Sequence, residues 1–206
     1  MVAPSVIGVA GRVGSGKSSL ATLLSEQSGW AVVRFSDYLK HLAGERGIIP
    51  DRESLQRLGV ECIEAGWGQF CTAVLEFAGW RPGDSVIVEG IRHPEAVGAL
   101  NAVVAPGRVF LVFLAADDVV IQARIRIRDG SGVELQKIES HPSDGGVGER
   151  LHAVTDIVLD ANRPLPALAG EVWRWHGVRT RYRCELPRFL HVVAGQRQSS
   201  NTTVVA

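Results

Sequence analysis

Apolar residues along the chain recur with two different periods. Short apolar runs at 5–10 (Ser-Val-Ile-Gly-Val-Ala), 31–35, 85–89, 108–115 and 156–159 have the length and β-branched content of buried strands. Between them, apolar positions fall at helical spacing. Leu20, Leu23 and Leu24 mark 17–28; Leu55, Leu58 and Cys62 mark a helix opened by Pro50 and Asp51; Phe70, Val74 and Phe77 mark 69–78. Further helices are predicted over 38–45, 94–103, 117–126 and 165–175. Ser36 or Asp37 is the expected N-cap of the helix at 38–45, and Gly59 should weaken the helix that contains it. Pro82-Gly83-Asp84 reads as a turn. Fully apolar strands alternating with helices predict an α/β fold: a parallel sheet covered on both faces, without internal repeats.

Two stretches fall outside this pattern. Residues 129–148 are polar and carry Gly130, Gly132, Gly145, Gly146 and Gly148, the composition of a flap rather than of core. From 177 onward the pattern is lost. Residues 173–206 hold Arg174, Arg179, Arg181, Arg183, Arg188 and Arg197 against Glu185. Residues 178–193 suggest a hairpin around Pro187, and the last residues a frayed end. The expected role of this basic tail is a solvated extension; the alternative is a contact with nucleotide or with a second subunit, which leaves a homodimer open.

Composition narrows the classes of function. The 206 residues are 46% hydrophobic and 21% charged, with 22 basic side chains against 22 acidic ones. Zero net charge argues against a nucleic-acid coat, so nucleic acid is not an expected partner. The longest apolar run, Val109 to Ala116, is too short to span a bilayer, and no leader pattern is visible at the start. Cys62, Cys71 and Cys184 form no CxxC pair and suit reduced thiols in a cytoplasm. Lysines are confined to Lys17, Lys40 and Lys137; the other basic residues are arginines, which suit bidentate capture of phosphate.

The strongest motif is Gly11-Arg12-Val13-Gly14-Ser15-Gly16-Lys17-Ser18, a full match to G-x-x-x-x-G-K-[ST], with Ser19 next in the opening helix. It lies between a predicted strand and a predicted helix. Glycines let the backbone curl so that successive N–H groups point at a phosphate chain, and the new helix adds its positive end. Lys17 is expected to reach the β- and γ-phosphates of ATP, and the Ser18 hydroxyl to take a place on Mg²⁺. No Asn-Lys-x-Asp segment reads guanine, since none of Asn101, Asn162 and Asn201 begins one. A G-x-S-x-G elbow, an H-E-x-x-H pair and a CxxC following His93-Pro94-Glu95 are all missing, which removes common hydrolases, zinc proteases and zinc deaminases.

Other candidates gather where ligands bind, at the carboxyl edge of a parallel sheet. Glu89 ends the third strand and could hold the metal through a water. Asp37 follows the second strand. It would act as base for a hydroxyl acceptor, or bind a sugar hydroxyl or the metal shell if the acceptor is a phosphate. Arg92, just past the third strand, and Arg52, opening a helix, could clamp an acceptor phosphate. Arg124 and Arg128 share a helix face leading into the flap and could close over the transferring phosphate; Arg126 points elsewhere.

Four segments together resemble a known family: the P-loop, Phe35-Ser36-Asp37-Tyr38-Leu39-Lys40, Arg52-Glu53-Ser54-Leu55-Gln56-Arg57-Leu58-Gly59 and Glu89-Gly90-Ile91-Arg92. They resemble the phage-type deoxynucleoside monophosphate kinases, with dephospho-CoA kinases and adenylate kinases as more distant relatives. His141-Pro142-Ser143-Asp144 is similar to the flap end of such proteins. The resemblance implies a P-loop kinase domain over 1–176 with a five-stranded parallel sheet, an acceptor-binding helical insert at about 37–80 and a lid at about 128–148, followed by the basic extension 177–206. It implies transfer of the ATP γ-phosphate, with Mg²⁺, to a nucleoside monophosphate. Lys17, Asp37, Arg92, Arg124 and Arg128 are then the catalytic set. Asp37, Lys40, Arg52, Gln56 and Arg92 would bind the acceptor, and Ser18 and Glu89 the metal. The competing expectations are a kinase of a hydroxyl acceptor, such as dephospho-CoA, and a nucleotide-binding regulator of low turnover.

Overall fold

A computed structural model describes residues 5–129, 150–151 and 153–181. The five apolar runs form one parallel sheet. Its strands are β1 (Val6–Gly11), β2 (Ala31–Arg34), β3 (Val86–Glu89), β4 (Val109–Ala115) and β5 (Ile157–Asp160). Their order across the sheet is β2-β3-β1-β4-β5, and every pair is parallel. The helices are α1 (Lys17–Ser28), α2 (Phe35–Glu45), α3 (Arg52–Ala65), α4 (Trp67–Phe77), α5 (Pro94–Val103), α6 (Asp118–Asp129) and α7 (Leu165–Arg181). This is the α/β, three-layer fold of P-loop kinases.

Both faces of the sheet are covered, which explains why its strands are apolar rather than alternating. Val109, Leu111 and Phe113 of β4 join Phe70, Val74, Leu75, Val97 and Leu100 of α4 and α5 on one face. Phe110, Val112 and Leu114 join Leu20, Leu24, Leu168 and Val172 of α1 and α7 on the other. Each of these buried aliphatic or aromatic side chains contributes about 1.5–3 kcal/mol by leaving water. Asp156 fastens the entry to β5: its carboxylate accepts from Leu111 N–H at 2.8 Å and pairs with Arg108.

Strands β2 and β3 lie on one side of β1, and β4 and β5 on the other, so the order reverses at β1. The crevice at the carboxyl end of such a reversal is where this architecture binds ligands. Residues 11–16 leave β1 into that crevice.

Several elements differ from their expected bounds. Helix α2 starts at Phe35, directly after β2, so Asp37 stands in its first turn instead of capping it. The cap position is Arg34, without a side-chain hydrogen bond. Asp51 does cap α3, accepting from Ser54 N–H at 2.8 Å, and that bond holds its carboxyl below the usual range. Gly59 does not interrupt α3, because Leu58 is buried beside it and tertiary packing outweighs the propensity cost. Helix α7 runs through to Arg181, so the first four residues of the expected hairpin at 178–193 are helical. Helix α6 runs on to Asp129, so the expected flap at 129–148 begins one residue later than its composition suggests. The rest of that flap, its His141–Asp144 end, the rest of the hairpin and the side chain of Arg128 lie outside the described residues. Among the described residues no helix is long and apolar enough to cross a membrane.

Candidate active site

The phosphate loop has the geometry its sequence requires. Gly11 has φ 141°, and a Cβ there would stand 2.7 Å from the Leu114 carbonyl oxygen. Gly14 has φ 79°, and a Cβ there would come within 3.0 Å of Ile121 and Ile125 in α6. Both positions therefore need glycine for backbone conformation and for space. Ser15 N–H donates to the Arg12 carbonyl at 3.2 Å, closing the curl, and Lys17 Nζ reaches the same carbonyl at 2.6 Å. The Ser15 hydroxyl is buried, at 1% exposure, with no hydrogen-bond partner among the described residues. A buried polar group left so is costly, and a phosphate oxygen in the loop would satisfy it. The loop thus fits the phosphate chain of a nucleotide.

Beside it, the Ser18 hydroxyl donates to Glu89 Oε1 at 2.5 Å. A hydroxyl and a strand-end carboxylate at the opening of α1 are oxygen donors of the kind a hard cation takes, so the pair fits Mg²⁺. Glu89 is 8% exposed. Its other oxygen accepts from Arg34 Nε at 2.8 Å. Arg34 Nη1 also lies 3.8 Å from Asp37 Oδ2, and Lys40 Nζ lies 3.4 Å from Asp37 Oδ1. Ser18, Glu89, Asp37 and Lys40 are thus brought into one row.

Arg34 belongs to none of the motifs in the sequence. Its signal was its place: it ends the second strand, and its partner in the β2–β3 register is Glu89.

A cleft of about 510 Å³ lies between the P-loop, Arg124 and Ile125 of α6, and Ala161, Arg163, Leu165 and Leu168 after β5. Ser19 lines it at the helix start. Arg124 does not reach free into it. Its two terminal nitrogens donate to the carbonyls of Ser15, at 3.1 Å, and Ala161, at 2.8 Å, so it ties the phosphate loop to the β5–α7 loop. Arg12 pairs with Asp118 at 2.5 Å, and the Asn162 side-chain amide accepts from Asp117 N–H through Oδ1 and donates through Nδ2 to the Asp117 carboxylate, which fastens the other end of α6 to the same two loops. Arg163 is held by Glu171 at 2.7 Å.

Past the end of β3, Arg92 is half-buried in the loop to α5, whereas Arg52 is exposed at the start of α3, with Gln56 one turn on. Helix α3 packs on α2, which carries Asp37 and Lys40. An aromatic group fills the space between α2, α4 and the Arg92 loop. Phe35, Tyr38 and Trp67 surround Phe70, with ring centroids 5.2–6.3 Å from it, and Trp67 lies 5.2 Å from His93. Burial pushes the His93 imidazole below its ordinary pKa, and the charges of Arg150 and Arg92 act the same way.

Known proteins resemble this chain in sequence and in fold. An AAA domain family matches residues 7–161. A UPF0200 protein of Pyrobaculum aerophilum is 31% identical over 127 residues, covering 62% of this chain and 68% of the relative. The chain belongs to this AAA domain family and to the UPF0200 proteins. Its fold is also that of solved kinases. A gluconokinase from Sinorhizobium meliloti superposes with a TM-score of 0.55 at 20% identity, covering 88% of this chain and 96% of that one. An APS kinase of Mycobacterium tuberculosis, solved in complex with AMPPNP and APS, gives 0.53 at 18% identity over 86% and 99%.

Proposed function

We propose that this UPF0200 chain is an ATP- and Mg²⁺-dependent kinase that transfers the γ-phosphoryl group of ATP to the phosphate of a nucleoside or deoxynucleoside monophosphate. The observation that carries the reading is one chain of polar contacts at the carboxyl edge of the sheet. It starts beside the P-loop and Lys17 at the Ser18–Glu89 pair and passes through Arg34 to Asp37 and Lys40. Phosphoryl transfer needs little covalent help from protein; it needs aligned reactants and positive charge around the moving group.

Each residue then has a role. The loop N–H groups and Lys17 hold the donor phosphates. Ser18 and Glu89 would hold Mg²⁺, which when bound draws charge from the β- and γ-oxygens. The base of ATP fits the apolar cleft by Leu165 and Leu168, whose walls Arg124 holds together. Arg92 and Arg52 take the acceptor phosphate, with Gln56 one turn on from Arg52, and Asp37 and Lys40 position the rest of the acceptor. A phosphate acceptor is already an oxyanion near neutral pH, so the reaction needs no base. An Asp37 carboxylate set between two cations suits that chemistry. The AMPPNP-bound APS kinase of similar fold supports an adenine nucleotide as donor.

The likeness to a gluconokinase favours a second reading, because gluconate offers hydroxyls. Asp37 would then accept the hydroxyl proton.

The test is Arg92→Ala. Losing a bidentate phosphate contact should lower kcat/KM for the acceptor by about 2–4 kcal/mol, that is, by roughly thirtyfold to a thousandfold, with ATP affinity unchanged. A fall in ATP affinity alone would assign Arg92 to the donor and overturn this layout.

A further inference from the structure

We infer that Arg34 is a positioning residue that competes with the divalent cation for the charge of Glu89, and so couples cation binding to the arrival of an anionic acceptor. The inference rests on the kinase reading above.

Its basis is the row of groups at the sheet edge. Arg34 and Glu89 are register partners on neighbouring parallel strands, where side chains at one level stand about 4.8 Å apart. Glu89 divides its two oxygens: Oε1 takes the Ser18 hydroxyl and Oε2 takes Arg34 Nε at 2.8 Å. At 8% exposure the carboxylate is poorly screened by water, so its balance rests on the charges beside it. The same guanidinium faces Asp37 at 3.8 Å, and Lys40 faces Asp37 from the other side at 3.4 Å. From donor side to acceptor side the charges therefore alternate: Glu89, Arg34, Asp37, Lys40.

A divalent cation on Ser18 and Glu89 repels the neighbouring guanidinium and takes over its role as counter-ion. Arg34 then turns to Asp37 and to any anion beyond it. In the other direction, an acceptor phosphate that draws Arg34 away leaves Glu89 freer for the cation. Coupling of this kind is reciprocal, so acceptor and cation each tighten the other. A neutral acceptor gains nothing from Arg34, which makes the residue a selector for anionic acceptors.

The experiment measures Mn²⁺ affinity by electron paramagnetic resonance on the full chain with AMPPNP, with and without inorganic phosphate as the anion. Wild type, Arg34→Gln, Arg34→Lys and Glu89→Gln are compared, each checked by thermal melting. Arg34→Gln should bind Mn²⁺ about threefold to tenfold tighter in the absence of phosphate, and Arg34→Lys should stay near wild type. Phosphate should tighten Mn²⁺ in wild type and have no effect in Arg34→Gln. A merely structural arginine would move the melting temperature and leave these affinities alone. Unchanged or weaker Mn²⁺ binding in Arg34→Gln overturns the inference. So does a wild-type affinity that ignores phosphate, a result that needs no variant to fold. If Glu89→Gln binds Mn²⁺ as well as wild type does, the cation site itself is misassigned and the kinase reading falls. If Glu89→Gln weakens Mn²⁺ while Arg34→Gln fails to tighten it, only the inference about Arg34 falls.

Discussion

Ser18 and Glu89 stand 71 positions apart in the chain and share one hydrogen bond, Ser18 Oγ donating to Glu89 Oε1. The contact joins the start of α1 to the end of β3 across the mouth of the crevice. It arises because β1 and β3 are parallel neighbours, with Val9 level with Glu89. The P-loop that leaves β1 delivers its serine back to that level.

Arg124 gives the first prediction. It bridges the Ser15 and Ala161 carbonyls from a half-buried position. Arg124→Gln removes a charged donor from both and should cost about 2 kcal/mol of stability, read from denaturant unfolding. Because the two loops form the donor cleft, KM for ATP should rise while KM for the acceptor holds. A rise confined to the acceptor would contradict the bridging role.

Asp37 separates the two kinase readings. Asparagine keeps the size of aspartate, and Asp37 caps no helix, so the fold should survive. With a phosphate acceptor, Asp37→Asn should lower kcat by about tenfold or less, whereas loss of a general base costs roughly 10²–10⁴. Single-turnover transfer with the best acceptor found, beside a thermal melt, makes the comparison. A folded variant slowed by about a thousandfold or more would assign a hydroxyl acceptor.

Acid stability follows from two histidines. Burial depresses both His93, against Trp67, and His176, packed among Trp30, Trp173 and Phe110. In the unfolded chain each titrates near 6.5, and in the fold lower. Between those values the unfolded state binds more protons, so stability is full above about pH 6.5 and declines as pH falls toward the folded pKa. Unfolding free energies measured from pH 8 to 5 should show that decline, and His176→Gln should flatten part of it. An equal slope in the variant would rule out His176 as a contributor.

Much of the fold could be read from the chain because burial on both faces leaves strands apolar throughout, and Val109–Ala115 is the plainest case. The P-loop is legible because the loop's curl needs positive φ at Gly11, Gly14 and Gly16, a local demand that writes glycine into the motif itself. Asp37 was misplaced as a cap because no local signal says that a helix begins directly at the end of β2. Arg34 went unnoticed because its meaning is a register between strands far apart in sequence. The bridging by Arg124 was hidden for the same reason: Ser15 and Ala161 meet only after β1, β4 and β5 have paired.

Phosphoryl transfer by this chain is read from coupled ADP release. The purified chain is given ATP and Mg²⁺ with a panel of nucleoside and deoxynucleoside monophosphates, dephospho-CoA and gluconate, with Lys17→Ala as the control. ADP should be released in step with a newly formed diphosphate from one or a few monophosphates, with no transfer by Lys17→Ala, which lacks the charge on the moving group. Near-normal turnover in Lys17→Ala, or ATP bound by the wild type without transfer to any acceptor, would contradict it.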